Sequence, residues 1–260
     1  MTDHPIIALW SHPRSMSTAM ERIMRERGDL DSLHEPFMYD YYVHRRVRIM
    51  PHFEVQKDHP TSYEAIRDMI LDRARKAPVF FKDMSYYVYP HILADTDFSA
   101  RLTNVFLVRD PIASIPSYHK LDPDLTLEEI GLEAQAHHFD ALAARGQTPP
   151  VIVADDVRAD PEGVIGALWQ RIGLKHVSAA FDWQREPPKD WAQVGGWHGD
   201  VSRASGIRPL SPEEIAQQER KFDDLARTEP RLRALLDHHR PFYRHLAAHA
   251  IGPGGAERLS

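Results

Sequence analysis

The 260-residue sequence contains no cysteine. Disulfides, thiolate nucleophiles, cysteine-bound zinc and iron–sulfur clusters are therefore excluded, and the composition suits a reducing compartment. Long apolar runs are absent too, none approaching the roughly 20 residues of a membrane span. The first short one, Ile6 to Trp10, has no basic start and is too short for a signal peptide. The expectation is a cytoplasmic protein that does not enter the membrane. A surplus of positive charge is also missing. The formal net charge is −6 at pH 7, so no global basic field exists to hold nucleic acid. An anionic ligand must be caught by a local site.

What is present reads as an ordinary globular chain. Hydrophobic residues make up 42% and charged residues 27%, and the length allows a buried core without a disulfide or metal staple. Ile6-Ile-Ala-Leu-Trp10 is continuously apolar, as a buried parallel strand requires. A polar turn follows, and then Met16, Met20, Ile23 and Met24 recur at helical spacing up to Gly28. Ser32–Glu35, Val79–Lys82, Asn104–Val108 and Val151–Ala154 read as four further strands. Helices are expected over Tyr63–Lys76, from Pro111 to Tyr118 with a disturbance at Pro116, over Leu127–Arg145, and over Pro161–Ile172. Strands alternating with helices imply an α/β fold, a mainly parallel five-stranded sheet flanked by helices. Residues 182–209 hold several Trp, Pro and Gly with little periodicity and read as an irregular, lid-like segment. Two C-terminal helices follow, at roughly 211–227 and 230–249. The expected organisation is one α/β domain over 1–250 with a flexible tail, 251–260. The sequence is compatible with a monomer or a homodimer.

The loop Ser11-His12-Pro13-Arg14-Ser15-Met16-Ser17-Thr18 joins the first strand to the first helix. Strand, polar loop and helix start form a geometry that binds phosphate through backbone N–H groups. The loop has no glycine and lacks the Walker lysine, but it offers one cation, Arg14, and three hydroxyls. It also reads as a plain connection with Ser17 as N-cap. Further on, Arg109 closes the fourth strand and Ser117 lies eight residues later on the next helix. In an open α/β sheet, ligands bind beyond the C-terminal strand ends, so Arg109 and the first loop belong to one edge. Arg109-Asp110 also reads as a local ion pair at a turn.

Together these residues resemble the sulfotransferases that use 3′-phosphoadenosine 5′-phosphosulfate (PAPS) and release 3′-phosphoadenosine 5′-phosphate (PAP), a family whose fold is related to P-loop kinases. His12-Pro-Arg-Ser-Met-Ser-Thr18 is similar to the family's 5′-phosphosulfate loop, Pro-Lys/Arg-Ser-Gly-Thr/Ser-Thr. Phe106-Leu-Val-Arg-Asp-Pro111 through Ser117 is similar to its 3′-phosphate motif. Val153-Ala-Asp-Asp-Val157, with Asp160-Pro-Glu and Ile172-Gly-Leu174, is similar to its Tyr-Glu-Asp-Leu segment and following helix. The chain departs from the pattern at Met16, where the family has glycine and the side chain is expected to point away from the cradle. The late basic-Gly segment is not evident, and Gly195-Gly-Trp-His-Gly199 with Arg203 stands near its place.

The resemblance implies PAPS as sulfuryl donor, a small-molecule acceptor with a hydroxyl or amine, and no metal. It implies that Pro13, Arg14, Ser15, Met16, Ser17 and Thr18 hold the 5′ end, with Arg109 and Ser117 on the 3′-phosphate. Arg14 would neutralise the leaving group. Glu35, ending the second strand, is the candidate general base, with Asp83 as the other carboxylate and His34 expected on the opposite strand face. The family's Lys-x-His segment looks like Phe81-Lys82-Asp83-Met84, without the histidine. Tyr39, Tyr41, Tyr42, Tyr86, Tyr87 and Tyr89 suit either an acceptor pocket or a core. His44-Arg-Arg-Val-Arg48 suits an anionic acceptor or a solvated face. His245 and His249, one helical turn apart, lack the glutamate of a His-Glu-x-x-His metal motif and read as an exposed face. An ATP-dependent small-molecule kinase and a non-catalytic nucleotide-binding protein on the same scaffold are the alternatives.

Overall fold

The computed structural model describes residues 4–183, 186, 188–198 and 204–252. Five strands form one parallel sheet: β1 (Ile6–Ser11), β2 (Asp31–His34), β3 (Val79–Met84), β4 (Leu102–Val108) and β5 (Val151–Val153). Their order is β2-β3-β1-β4-β5. All six residues of β1 are buried, and alternate residues serve opposite faces. Ile6, Ala8 and Trp10 enter one core, and Ile7 and Leu9 enter the other. This explains a continuously apolar strand: both sheet faces are covered.

On the Ile7 face lie α1 (Ser17–Glu26) and α8 (Pro161–Arg171). The Trp10 face is covered by α2 (Tyr63–Ala74), α3 (Ser85–Ala94), α5 (Pro111–His119) and α6 (Leu132–Ala144). The C-terminal α10 (Pro212–Thr228) and α11 (Arg231–Ala248) pack on α5 and α6 of that layer. Short helices α4 (Thr96–Ser99), α7 (Ala154–Ala159) and α9 (Gly195–His198) complete the set. The adjacent β1 and β4 send the chain in opposite directions, to β2 and to β5. A crevice at such a switch point is where open α/β sheets bind ligands.

Several expectations are corrected. The long helix over Leu127–Arg145 is interrupted at Gly131, whose φ is 81°. A 3₁₀ turn at Glu128–Ile130 precedes α6. Pro116 does not disturb α5, which runs through it to His119. Strand β2 ends at His34 rather than Glu35, because Glu35 turns left-handed (φ 43°). Strand β5 ends at Val153, since Ala154 already opens α7. Helix α3 was not expected; a tyrosine-rich run containing Pro90 does not advertise a helix. The irregular segment 182–209 carries a 3₁₀ turn at Lys189–Val194 and then α9. Ile251 is not frayed: it is buried, and its N–H donates to the Val151 carbonyl at 2.9 Å. Residues 253–260 of the expected tail, with Gly199 and Arg203, lie outside the described residues.

Candidate active site

A cleft opens at the C-terminal edge of the sheet, beside the loop between β1 and α1. Two residues there are left-handed, Arg14 (φ 63°) and Met16 (φ 79°). That conformation costs an ordinary side chain roughly 1–2 kcal/mol, which gives a physical reason for glycine in the sulfotransferase pattern at the position of Met16. The Met16 side chain packs on the α1/α8 core and also borders the cleft, so it does not point wholly away. Met16, not Ser17, is the N-cap of α1, and no side chain caps it. The first N–H groups of a helix lack intrahelical partners. Here Pro13, Ser17 and Thr18 border the cleft at the positive end of that helix. Ser15 is fully buried beneath, its Oγ without a partner.

Three guanidiniums converge on this end: Arg14, Arg109 and Arg158 all line the cleft. Arg14 Nε donates to Ser117 Oγ at 2.9 Å, and its Nη1 to the Trp197 carbonyl. Arg109 Nη1 donates to the Arg14 carbonyl at 3.0 Å. Ser117 therefore meets Arg14, not Arg109. The Nε atoms of Arg109 and Arg158 are buried without partners. No ion pair joins any of the three to a described carboxylate, although Asp155 acts on Arg109 and Arg158 from farther off. Burial, Arg158 and Arg14 lower the Arg109 pKa to about 10 against the opposing charges of Asp155 and Asp110, and burial lowers those of Arg14 and Arg158, the latter against Asp155. Concentrated positive charge of this kind is stabilised by an anion.

Backbone hydrogen bonding fixes Arg109 as well. Its N–H donates to His12 Nε2 at 3.0 Å. Burial and the Arg109 charge push the His12 imidazole down to about 3, so it is a neutral acceptor riveting the β1 loop to the β4 loop.

Glu35 borders the cleft from the β2 end and forms an ion pair with buried Lys82, while Tyr87 donates to its Oε2 at 3.4 Å. Behind this pair lies Glu21 of α1. It meets His34 Nδ1 at 2.6 Å, accepts from Arg25 Nε and Trp191 Nε1 at 2.8 Å each, and lies 3.9 Å from Lys82 Nζ. His34 thus faces α1, though its Nε2 remains 3.9 Å from Glu35. Burial raises the pKa of Glu21, but His34, Lys82 and Arg25 outweigh it and hold the carboxyl below the usual range. Asp83 is differently placed. It is fully buried, and its oxygens accept from the backbone N–H groups of Phe37 (2.8 Å) and Met84 (3.0 Å). Burial and the Glu35 charge push its pKa well up.

The rest of the wall is aromatic and aliphatic: Tyr42, Tyr86, Tyr87, Tyr118 and Trp197, with Met50, Met84 and Val194. Tyr39 instead bonds Gln193 at 2.7 Å, Tyr41 lies in the core, and Tyr89 lies outside the cleft. Of the basic cluster after the tyrosines, Arg45 pairs with Asp40 and Arg48 with Asp122 and Glu129, so it is not simply solvated. Sequence reasoning missed Arg158, Tyr118 and Lys82 as cleft residues. Arg158 was findable, since it lies five residues beyond β5 at the same sheet edge. Lys82 was visible only as part of a segment lacking a histidine.

A family model described as a sulfotransferase domain matches residues 5–249. Branched-chain-amino-acid aminotransferase-like protein 2 of Arabidopsis thaliana is 24% identical over 215 residues, 82% of this chain and 37% of that protein. The corresponding protein 1 is 24% identical over 213 residues, covering 80% and 37%. The chain thus spans 37% of the length of these curated relatives. Among solved structures, the sulfotransferase domain from the curacin biosynthetic pathway aligns with a TM-score of 0.55 at 13% identity, covering 86% of this chain and 97% of that one. That likeness is one of fold.

Proposed function

The chain belongs to the sulfotransferase family, and on that premise we propose that it moves a sulfuryl group from PAPS to a hydroxyl or amine of a small acceptor. The observation that carries this reading is the convergence of Arg14, Arg109 and Arg158, unpaired by carboxylates among the described residues, on an uncapped helix start. Such a set suits a ligand with several negative charges. The buried, partnerless Ser15 Oγ and the free Nε atoms of Arg109 and Arg158 are the kind of donors that a bound phosphate satisfies.

When bound, PAPS supplies a sulfuryl group activated by its anhydride link to phosphate. The loop amides with Pro13, Ser15, Met16, Ser17 and Thr18 cradle the 5′-phosphate, and Arg14 stabilises the negative charge that collects on the leaving oxygen. Arg109 and Ser117 serve the 3′-phosphate, with Arg158 beside them. Glu35 accepts the proton of the acceptor hydroxyl, and Lys82 holds its carboxylate in place. Fixed cations do this work, so no metal enters the proposal. Nothing at the loop favours the kinase alternative, which expects a glycine-rich loop and a Walker lysine. A cytoplasmic location belongs to the same proposal.

The test is calorimetric titration of PAP and AMP into wild type and Arg109→Ala. Charged hydrogen bonds contribute roughly 1.5–3 kcal/mol each, and about 1.4 kcal/mol is tenfold in affinity. PAP should bind at least about tenfold tighter than AMP, and Arg109→Ala should remove most of that preference. Equal binding of the two by wild type would sink the 3′-phosphate assignment. Turnover of labelled PAPS then separates an enzyme from a nucleotide-binding protein.

A further inference from the structure

Helix α1 starts at the donor loop and carries, in its second turn, a carboxylate that stands behind the Glu35–Lys82 pair. This is Glu21, fully buried, and its two oxygens are used differently. Oε1 accepts from Arg25 Nε and Trp191 Nε1 at 2.8 Å each. Oε2 meets His34 Nδ1 at 2.6 Å and lies 3.9 Å from Lys82 Nζ. Lys82 in turn is paired with Glu35 Oε1, and that same oxygen lies 3.9 Å from His34 Nε2. The four side chains close a ring in which carboxylates alternate with nitrogen groups.

Two buried carboxylates in this ring face one ammonium. A buried carboxylate without a partner is costly, so Glu21 and Glu35 compete for Lys82. The imidazole decides the outcome: by bonding Oε2 it satisfies Glu21 and leaves Lys82 to Glu35. Arg25 is committed elsewhere, since it holds Oε1 and pairs with Asp190 at 2.5 Å. The other groups facing Glu35 take no part in the competition. Tyr87 on α3 donates to its Oε2, and Asp83 on β3 is engaged by the backbone N–H groups of Phe37 and Met84.

Resting on the reading of Glu35 as the base, we propose that Glu21 and His34 are positioning residues that set its base strength by apportioning the Lys82 charge. Neither borders the cleft, so both act through Lys82 and Glu35. A nearby cation favours the charged form of a carboxylate, and a nearby anion opposes it. Loss of the imidazole donor leaves Glu21 Oε2 to draw the ammonium away, and Glu35 becomes harder to deprotonate. Loss of the Glu21 charge leaves the ammonium wholly with Glu35, which becomes easier to deprotonate.

The test uses Glu21→Gln, His34→Leu and His34→Asn. The asparagine amide nitrogen falls about where Nδ1 stands and keeps a donor for Glu21. The Glu35 carboxyl is titrated by carbon NMR of protein labelled at glutamate Cδ, its signal assigned by its loss in Glu35→Gln, so this readout needs no turnover. The midpoint should rise by at least about 0.5 pH unit in His34→Leu, fall by about as much in Glu21→Gln, and stay within about 0.2 unit in His34→Asn. The acid limb of the kcat profile with PAPS should move with it. Opposite signs are the mark of a shared cation, because general loosening of the site moves both variants the same way. Should His34→Leu not fold, the fall in Glu21→Gln and the silence of His34→Asn still carry the test. A Glu21→Gln midpoint that rises or stays put overturns the proposal, as do shifts of one sign in Glu21→Gln and His34→Leu, or an asparagine variant that shifts. Midpoints that move as expected without PAPS turnover, or with an acid limb that ignores them, support the ring and defeat instead the assignment of Glu35 as base.

Discussion

Glu35 holds a left-handed backbone (φ 43°) directly after β2, with Pro36 following. A non-glycine residue in that region is strained by roughly 1–3 kcal/mol, and such strain gathers at functional sites. Lys82 and Tyr87 hold the carboxylate at the cleft wall. A positioned base contributes about 10²–10⁴-fold to rate. Glu35→Gln should therefore lower kcat at least about a hundredfold and leave PAP affinity within about twofold, because the amide keeps the shape but cannot accept the proton. Single-turnover kinetics and PAP titration of the same variant measure both. An unchanged kcat would remove Glu35 from the reaction. Asp83 is a weak substitute, since both its oxygens are engaged by backbone N–H groups beneath the site.

Helix α6 is positioned by one residue outside it. Gly131 adopts φ 81°, and a Cβ there would lie 3.1 Å from both His12 Cβ and Tyr86 Cδ1. The glycine lets the α6 N-terminus approach the donor loop and the tyrosine wall together. Gly131→Ala adds about 1–2 kcal/mol of backbone cost and crowds two side chains that serve the cleft. Urea unfolding should show a loss of about 1–3 kcal/mol, and PAP should bind more weakly because His12 carries the Arg109 backbone. If stability falls with PAP affinity unchanged, the contact is purely structural.

At the scale of the molecule, burial keeps His12, His138 and His239 neutral. Burial is the main cause for His12 and His138, each pushed down to about 3, and for His239, pushed down to about 4. In the unfolded chain they protonate near 6.5. Between these limits the unfolded state binds more protons, so stability is complete above about pH 6.5 and falls as pH drops below it, by up to about 1.4 kcal/mol per pH unit per histidine. Asp83 and Asp110 act oppositely, because their raised pKa values favour the folded state at low pH. His59, lowered mainly by burial, adds to the loss, and so do the lowered carboxyls of Glu21, Asp95 and Glu133 at lower pH; with the histidine shifts starting higher, net loss is expected. Denaturant titrations at pH 7.5, 6.5, 5.5 and 5.0 should show a falling midpoint below about pH 6.5. A flat midpoint over that range would show that these histidines titrate normally.

Local chemistry determined much of this protein in advance. Apolar runs marked four of the five strands to within about two residues at their ends, because a strand covered on both faces has no polar alternation to blur it; β2, Asp-Ser-Leu-His, is polar and only half buried. The parallel arrangement and the common edge of Arg14, Glu35 and Arg109 followed from strands alternating with helices. Strand order did not follow, because pairing joins residues such as Trp10 and Phe106 that are distant in sequence. Nor did the burial of His12 and Ser15, the ion pair of Glu35 with Lys82, or the gathering of Tyr42, Tyr86 and Tyr118 beside the Arg48 carboxylates. Each depends on which surfaces meet after the sheet has formed, and the physical reason is burial itself. A side chain's charge state, partners and rotamer are set by the elements that exclude water from it, and only the tertiary structure names those elements.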